Sequence, residues 1–366
     1  MKLPFYAKAA FFFVGFYALF TMLSIAQDII IPIVFALIFA IVLHPVVNFF
    51  VRKKINRVAA IVITLLLVFI IIAAFGTFFV SQAGRFGESW PVLVEKFTGI
   101  LNQTVTGVAY YFDLNPKKLQ AWIAKTAGEL VDSGTAAIGR TLVVLGNWVV
   151  VLFLVPVYVF LILFYHPILI EFIRRLFRSG DQAQVNEIVT QTKTVIQRYI
   201  AGLVIEAVLV AALEIIFLFL LGIDYAILIG ILGALLNVIP YIGGLVAVAL
   251  PMMVALATKP SPWFVVYIVA GYYFIQLIDN NYIVPKIVAS KVKINALFSI
   301  IVVIAGNALW GIPGMFLSIP LLAIVKLICD HIEPLKPWGF LLGDTMPSLL
   351  KIKSILKKKP KVEAAG

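Results

Sequence analysis

The chain has 366 residues, of which 63% are hydrophobic and 13% charged, against roughly half and a quarter in an average soluble domain. Its formal net charge is +12 and it holds one cysteine, Cys329. A soluble globular fold, a disulfide framework and a cysteine-built metal cage are excluded, and repeated apolar runs of about 20 residues make lipid the solvent of a polytopic membrane protein.

Residues 9–26 and 29–50 are expected as the first two spans, nearly back to back, with Asp28 the only charge between them. Ser24-Ile25-Ala26 has the small-residue spacing of a signal-peptidase site, but another long apolar run follows where a polar mature start would be expected. A third span, 58–80, carries no charge and completes a first transmembrane unit, residues 1–80. Residues 81–140 differ in kind. Arg85, Glu88, Glu95, Lys96 and Asp113 lie among apolar residues at helical spacing, and Leu93, Phe97, Ile100, Leu101, Val105 and Val108 form one stripe. Asn115-Pro116 reads as an N-cap followed by proline at the first helical position. The segment is expected to be a small extracytoplasmic domain of amphipathic helices, with a plain interfacial spacer as the alternative.

The fourth span, 141–165, is again uncharged. Residues 166–198 read as cytoplasmic amphipathic helices: Arg174, Arg175 and Arg178 precede Ser179-Gly180, and Asp181 and Gln184 stand at capping-box spacing. His44-Pro45 and His166-Pro167 read as helix terminations, because proline lacks the N–H that a continuing helix needs.

Residues 199–328 read as the transport region. The fifth span, 199–223, holds Glu206 and Glu214, eight positions and hence about 80° apart around a helix; both can face one cavity. The stretch 225–258 breaks at Asn237-Val238-Ile239-Pro240-Tyr241-Ile242-Gly243-Gly244, and the stretch 296–328 at Asn307 and Gly311-Ile312-Pro313-Gly314. Each leaves arms of about 15 residues, too short to cross comfortably. Gly244 and Pro313, and Pro251 and Pro320, are separated by the same 69 positions, so the two stretches read as copies of one unit. Between them the span 262–283 closes on Gln276, Asp279, Asn280 and Asn281. That polar group is read either as a hydrated vestibule or as a capped helix end. Residues 329–366 form a basic amphipathic tail, suited to anionic lipid rather than to nucleic acid.

Basic residues cluster at 52–57, at 174–178 and in the tail, and the positive-inside rule makes all three cytoplasmic, together with both termini. Two re-entrant hairpins put Lys286, Lys291 and Lys293 inside and leave Lys259 outside; two kinked crossing helices put those three lysines outside. The first arrangement obeys the rule. Non-helical backbone at membrane depth is tolerated only where protein or a water-filled cavity satisfies it, and paired broken segments are the best pointer to a transport site. An acid in a span costs about 2.5 to 3.5 kcal/mol on insertion scales, so Glu206 and Glu214 are read as functional and as candidates to exchange protons with water. The alternative is a neutral acid bonded to a neighbouring helix.

No Gly-rich Lys-Ser/Thr phosphate loop, no His-Glu-x-x-His and no Gly-x-Ser-x-Gly elbow occurs. No enzyme activity, no catalytic residue, no metal site and no cofactor beyond a coupling proton or sodium ion is expected.

Gln197-Arg198-Tyr199-Ile200-Ala201-Gly202, then Leu236 through Gly243, then Gln276 through Asn281 with Pro285, then Gly306 through Gly314 to Pro320, resemble the AI-2E (autoinducer-2 exporter) family, also described as PerM-like permeases. The resemblance covers residues 8–332, and Ile239-Pro240-Tyr241-x-Gly243 is its most specific element. Two departures stand out: Gly243-Gly244 where the family often has Gly-Pro, and Asn295-Ala296 where it often has a proline. The resemblance implies an all-α permease of the bacterial inner membrane, a homo-oligomer, specifically a pentamer, that exports a small polar solute such as autoinducer-2. Sodium or lithium exchange for protons is linked to other members, so a cation/proton antiporter stays open. A passive channel and a non-transporting scaffold are the remaining readings. The residues expected along the pathway are Glu206, Glu214, Asn237, Pro240, Gly243, Gly244, Gln276, Asp279, Asn307, Gly311, Pro313 and Gly314.

Overall fold

A computed structural model describes residues 4–112, 121, 123–126, 128–129, 149–176, 182–237, 243–288 and 294–344. The tail from 345, Pro240, Lys291, Lys293, Asp181, Asn115-Pro116 and the start of the fourth span fall outside the described residues. Among the described residues the secondary structure is helical except for one bridge between Ile294 and Gly343. Among the described residues seven helical stretches are, by length and composition, long and apolar enough to cross a membrane, which makes this a polytopic all-α membrane protein.

Helix α1 (Phe5–Ile25) has no buried residue, and its apolar side chains point outward. It runs straight into α2 (Gln27–Arg52) through Ala26. The turn into α3 (Arg57–Phe112) uses Lys54 at φ 68°, the left-handed conformation that commonly ends a helix, and Asn56 then caps α3 by accepting from the Ala59 N–H at 2.7 Å. Helix α3 continues without interruption through residue 80. Its later part buries Phe86 and Leu93 against Ile223, Ala226 and Ala247. Helix α4 (Val149–Leu176) packs on α2 and α3 through Val159 and Leu163, which meet Ala36, Ala40, Ala60 and Ile61. Small residues on α2 and α3 let these backbones approach, which matters in lipid, where no hydrophobic force pairs helices.

The His-Pro pairs do not end these helices. Pro45 lies within α2 and Pro167 within α4. A proline frees the carbonyl four residues earlier, and both freed carbonyls are taken by side chains from other helices. Gln197 Nε2 donates to Ile41 O at 2.6 Å, and an Arg57 guanidinium nitrogen donates to Leu163 O at 2.7 Å. An unpaired carbonyl in hydrocarbon would cost several kcal/mol. With that cost removed, each helix runs on past its proline.

Helix α5 (Gln182–Leu220) is 39 residues, about 58 Å at 1.5 Å per residue, and is the ruler against which the broken stretches can be placed. The first is α6 (Ala226–Asn237) followed by α7 (Gly243–Thr258). It folds back on itself: Leu228 and Ile229 share a buried cluster with Val254 and Ala255, and the Lys259 ammonium donates to the Gly222 carbonyl, closing the open end just beyond the last turn of α5. After α8 (Trp263–Ile278) comes a π-helical segment, Asp279–Val288, that contains Pro285.

Helix α9 (Ala296–His331) is the second broken stretch. It reverses at Gly311, whose φ of 63° and ψ of −144° are open essentially to glycine alone. Across this hairpin Ser318 Oγ donates to Val302 O at 2.8 Å. The Gly306 and Gly314 backbones are so close that a side chain on either would collide with the other. Its open end is held where Asn295 N–H donates to Leu342 O at 2.9 Å, with α10 (Lys336–Leu342) completing the clasp. The carbonyl of His331 accepts from Gln184, in the first turn of α5. The two hairpins therefore open at opposite ends of α5 and approach its middle from opposite sides, the inverted arrangement that broken-helix carriers use.

Candidate functional site

Along α5 the buried positions Ile196, Tyr199, Gly202, Glu206, Val210, Glu214 and Leu218 recur at three- and four-residue spacing, so one face of the helix looks into the protein and the acids sit on it. Glu206 is 6% exposed and Glu214 4%. Asp279, at the junction of α8 with the π-helical segment, is 2% exposed. It lies within electrostatic reach of both glutamates, which are about 12 Å apart along the helix axis. The three acids thus form a line, Glu206 to Asp279 to Glu214. Among the described residues no group of three or more acids, histidines or cysteines is placed to hold a metal ion.

Asn237, the last residue of α6, turns its amide onto Asp279, Nδ2 donating to Oδ2 at 2.8 Å. This ties the tip of the first hairpin to the acids. Asp279 has helical backbone angles, so the capped-helix-end reading gives way to that of a buried carboxyl bonded across to a hairpin. Its position follows from the wide turn after Ile278, which pulls the helix out of α register, a feature common at functional sites.

Two further residues complete the surroundings. Glu214 lies over Gly233 of α6, where any β-carbon would run into its carboxyl group. The hydroxyl of Tyr272, itself buried, is in electrostatic reach of Glu214 but closes no hydrogen bond of good geometry. Glu214 Oε2, Tyr272 OH and Asp279 Oδ1 are all buried without a hydrogen bond of good geometry, Tyr272 and Glu214 engaging each other only loosely. Such atoms cost about 1 to 3 kcal/mol each, and three in one neighbourhood are a place where a polar guest would be stabilised. No basic side chain is among the groups acting on the three acids. Charge balance in so apolar a setting calls for protons or a cation.

Sequence spacing alone did not indicate Gly233 or Tyr272. Tyr272 stands seven positions before Asp279, on the same helix face, which is the one signal that could have pointed there. The other expected pathway residues lie elsewhere. Gln276 is half-buried and donates to Asn280 Oδ1 at 3.3 Å. Gly243 and Gly244 begin α7. Asn307 is exposed on the second hairpin, and Gly311, Pro313 and Gly314 form its tip, with Gly314 packed inside the hairpin against Gly306 and Trp310. Trp310 Nε1 donates to Leu23 O of α1 at 3.1 Å. The second hairpin meets α5 at Ile196, Tyr199 and Ile200 through Leu317.

The profile of the family described as AI-2E family transporter matches residues 7–333. The "AI-2 transport protein TqsA" of Escherichia coli strain K12 is 26% identical over 331 residues, covering 87% of this chain and 90% of that protein. From the same organism, the "Putative transport protein YhhT" is 23% identical over 323 residues, 88% of this chain and 90% of that one. The "Putative permease PerM" is 26% identical over 249 residues, 64% and 69% of the two chains.

Proposed function

We propose a function on one premise: this chain belongs to the AI-2E transporter family. It is a secondary transporter of the bacterial inner membrane, with both termini cytoplasmic, that moves a small polar solute outward by alternating access. The observation that carries this reading is the set of three buried acids with no basic side chain acting on them, with Asp279 Oδ1 buried and unbonded and Asp279 Oδ2 tied by Asn237 to the tip of a broken hairpin. The solute sits between α5, α6 and α8. The line Glu206, Asp279, Glu214 passes protons along α5, and the Asn237 to Asp279 bond reports the protonation of the line to the first hairpin, so that loading and hairpin position are linked. The relative named as an AI-2 transport protein supports a solute of that class, a small oxygen-rich molecule able to bond the Tyr272 hydroxyl and the acid oxygens.

A second reading, sodium or lithium exchange for protons, is favoured by the carboxyl-rich lining alone. The apolar outer face of α1 is proposed to meet lipid and neighbouring copies of the chain in a homo-oligomer, a pentamer by family resemblance.

The test is uptake into proteoliposomes under an imposed proton gradient, comparing autoinducer-2 with sodium, for the native chain, Glu206→Gln and Glu214→Gln. Gradient-driven uptake of autoinducer-2 that is lost in a glutamate variant supports the first reading. Uptake of sodium alone moves the assignment to the antiporter. Movement that no opposing gradient drives uphill makes the protein a channel.

A further inference from the structure

The two kinked helices α2 and α4 bring their histidines together, with ring centroids of His44 and His166 4.7 Å apart. Lys193, in the amphipathic first part of α5, places Nζ 3.1 Å from His44 Nδ1. Asn48 Nδ2 lies 3.2 Å from the same nitrogen; a lysine and an amide nitrogen only donate, so Nδ1 accepts and the His44 ring proton sits on Nε2. Arg57 spends one nitrogen on Leu163 O and, like Lys193, acts electrostatically on both rings. Here are two cations and two imidazoles, all half-buried, one from each of the four helices α2 to α5.

Among the described residues no acid pairs with them. No acid is among the groups acting on either histidine, and none of the described ion pairs includes Arg57 or Lys193. The acids on neighbouring turns are engaged elsewhere: Glu171 holds Arg175 at 2.9 Å, and Glu187 faces His331 at 3.8 Å. Half-buried like charges repel one another, and an anion bound between Lys193 and Arg57 would relieve that repulsion. Its depth identifies the anion. His44 lies eight residues before the end of α2, about 12 Å along the axis, and beyond it the turn carries Arg52, Lys53 and Lys54, all exposed. That is the level of lipid headgroups beneath a basic rim.

We infer that the junction of α2, α3, α4 and α5 at the two His-Pro pairs is a binding site for a phosphate-bearing anion, with Lys193 and Arg57 as its charges and His44 Nε2–H as a neutral donor. A phosphodiester headgroup of an anionic lipid and free phosphate share this chemistry. The site is separate from the acid line. It stands whether or not that line carries solute.

The full chain, purified and delipidated in detergent, would be titrated with phosphatidylglycerol, with phosphatidylcholine and with inorganic phosphate, reading bound lipid by native mass spectrometry and the melting temperature in parallel. The variants are Lys193→Gln, Arg57→Gln, which keeps an amide donor for Leu163 O, and Lys54→Gln on the exposed rim as a charge-matched control. The expected result is preferential retention of phosphatidylglycerol that weakens about fivefold in Lys193→Gln and in Arg57→Gln but not in Lys54→Gln, on the scale of one surface cation for an anionic lipid. Stabilisation by inorganic phosphate, lost in the same two variants and without any preference between the lipids, assigns the site to free phosphate. Equal weakening in all three variants, or no difference between the native chain and Lys193→Gln with any of the three probes, overturns the site.

Discussion

Replacing Gly233 by alanine separates a working role of Glu214 from a packing role. The added β-carbon would be driven into the tip of Glu214, and it would also stand 2.9 Å from the carboxyl carbon and 3.2 Å from Oε1. The obstacle is the far end of a flexible side chain. Glu214 can swing away at the cost of an off-rotamer torsion, about 0.5 to 1.5 kcal/mol. Alanine in place of glycine within a helix returns about 0.5 to 1 kcal/mol. The net change in stability is within about 1 kcal/mol, which moves a melting temperature by only a few degrees. The carboxyl, however, is displaced by an ångström or more from Tyr272 and Asp279. Misplacing a working group by about 1 Å costs up to roughly 100-fold in rate, so initial solute flux in proteoliposomes should fall at least tenfold while melting is unchanged. Gly230→Ala is the control. There the β-carbon meets Ile215 at 2.6 Å from Cγ1 and 3.0 Å from the backbone nitrogen, which cannot step aside, so overpacking costs about 1 to 3 kcal/mol in stability. Native flux in Gly233→Ala would refute the placement of Glu214 on the pathway.

Three other perturbations test the fold and the site. Arg57→Met strands the Leu163 carbonyl and should cost about 1 to 3 kcal/mol; adding Pro167→Ala supplies the missing N–H and should recover most of the loss in detergent unfolding, so additive losses would contradict the capping. Gly311→Ala meets no neighbouring atom but forces an alanine into a backbone region essentially reserved for glycine, and should destabilise by about 1 to 3 kcal/mol; an unchanged unfolding midpoint would mean the second hairpin reverses elsewhere. Asn237→Ala removes the 2.8 Å bond to Asp279 and should abolish coupled flux while Asn237→Gln retains part of it. Equal flux in both variants would leave the bond without a role.

The spans were legible because lipid demands long apolar runs, and the breaks because glycine and proline interrupt them in an otherwise uniform alphabet. Glu206 and Glu214 announced themselves as acids where a charge is costly. The histidine-prolines misled. Whether a proline ends a helix depends on who takes the carbonyl it frees, and here the donors come from 156 and 106 positions away, beyond any local pattern. Asp279 was ambiguous for the same reason, since a carboxylate near a proline looks like a cap until a partner such as Asn237 is placed beside it. Gly233 and Tyr272 are ordinary residues in apolar helices. Only the packing of α6 and α8 on α5 makes them neighbours of Glu214.

The central claim is that the acid line couples proton movement to solute movement. Its most direct test is proton flux, read by a pH-sensitive dye inside proteoliposomes when solute is added, for the native chain and Glu214→Gln. A solute-dependent pH change is expected in the native chain and none in Glu214→Gln, with both proteins inserted to the same extent. A solute-dependent pH change of native size in Glu214→Gln would contradict it.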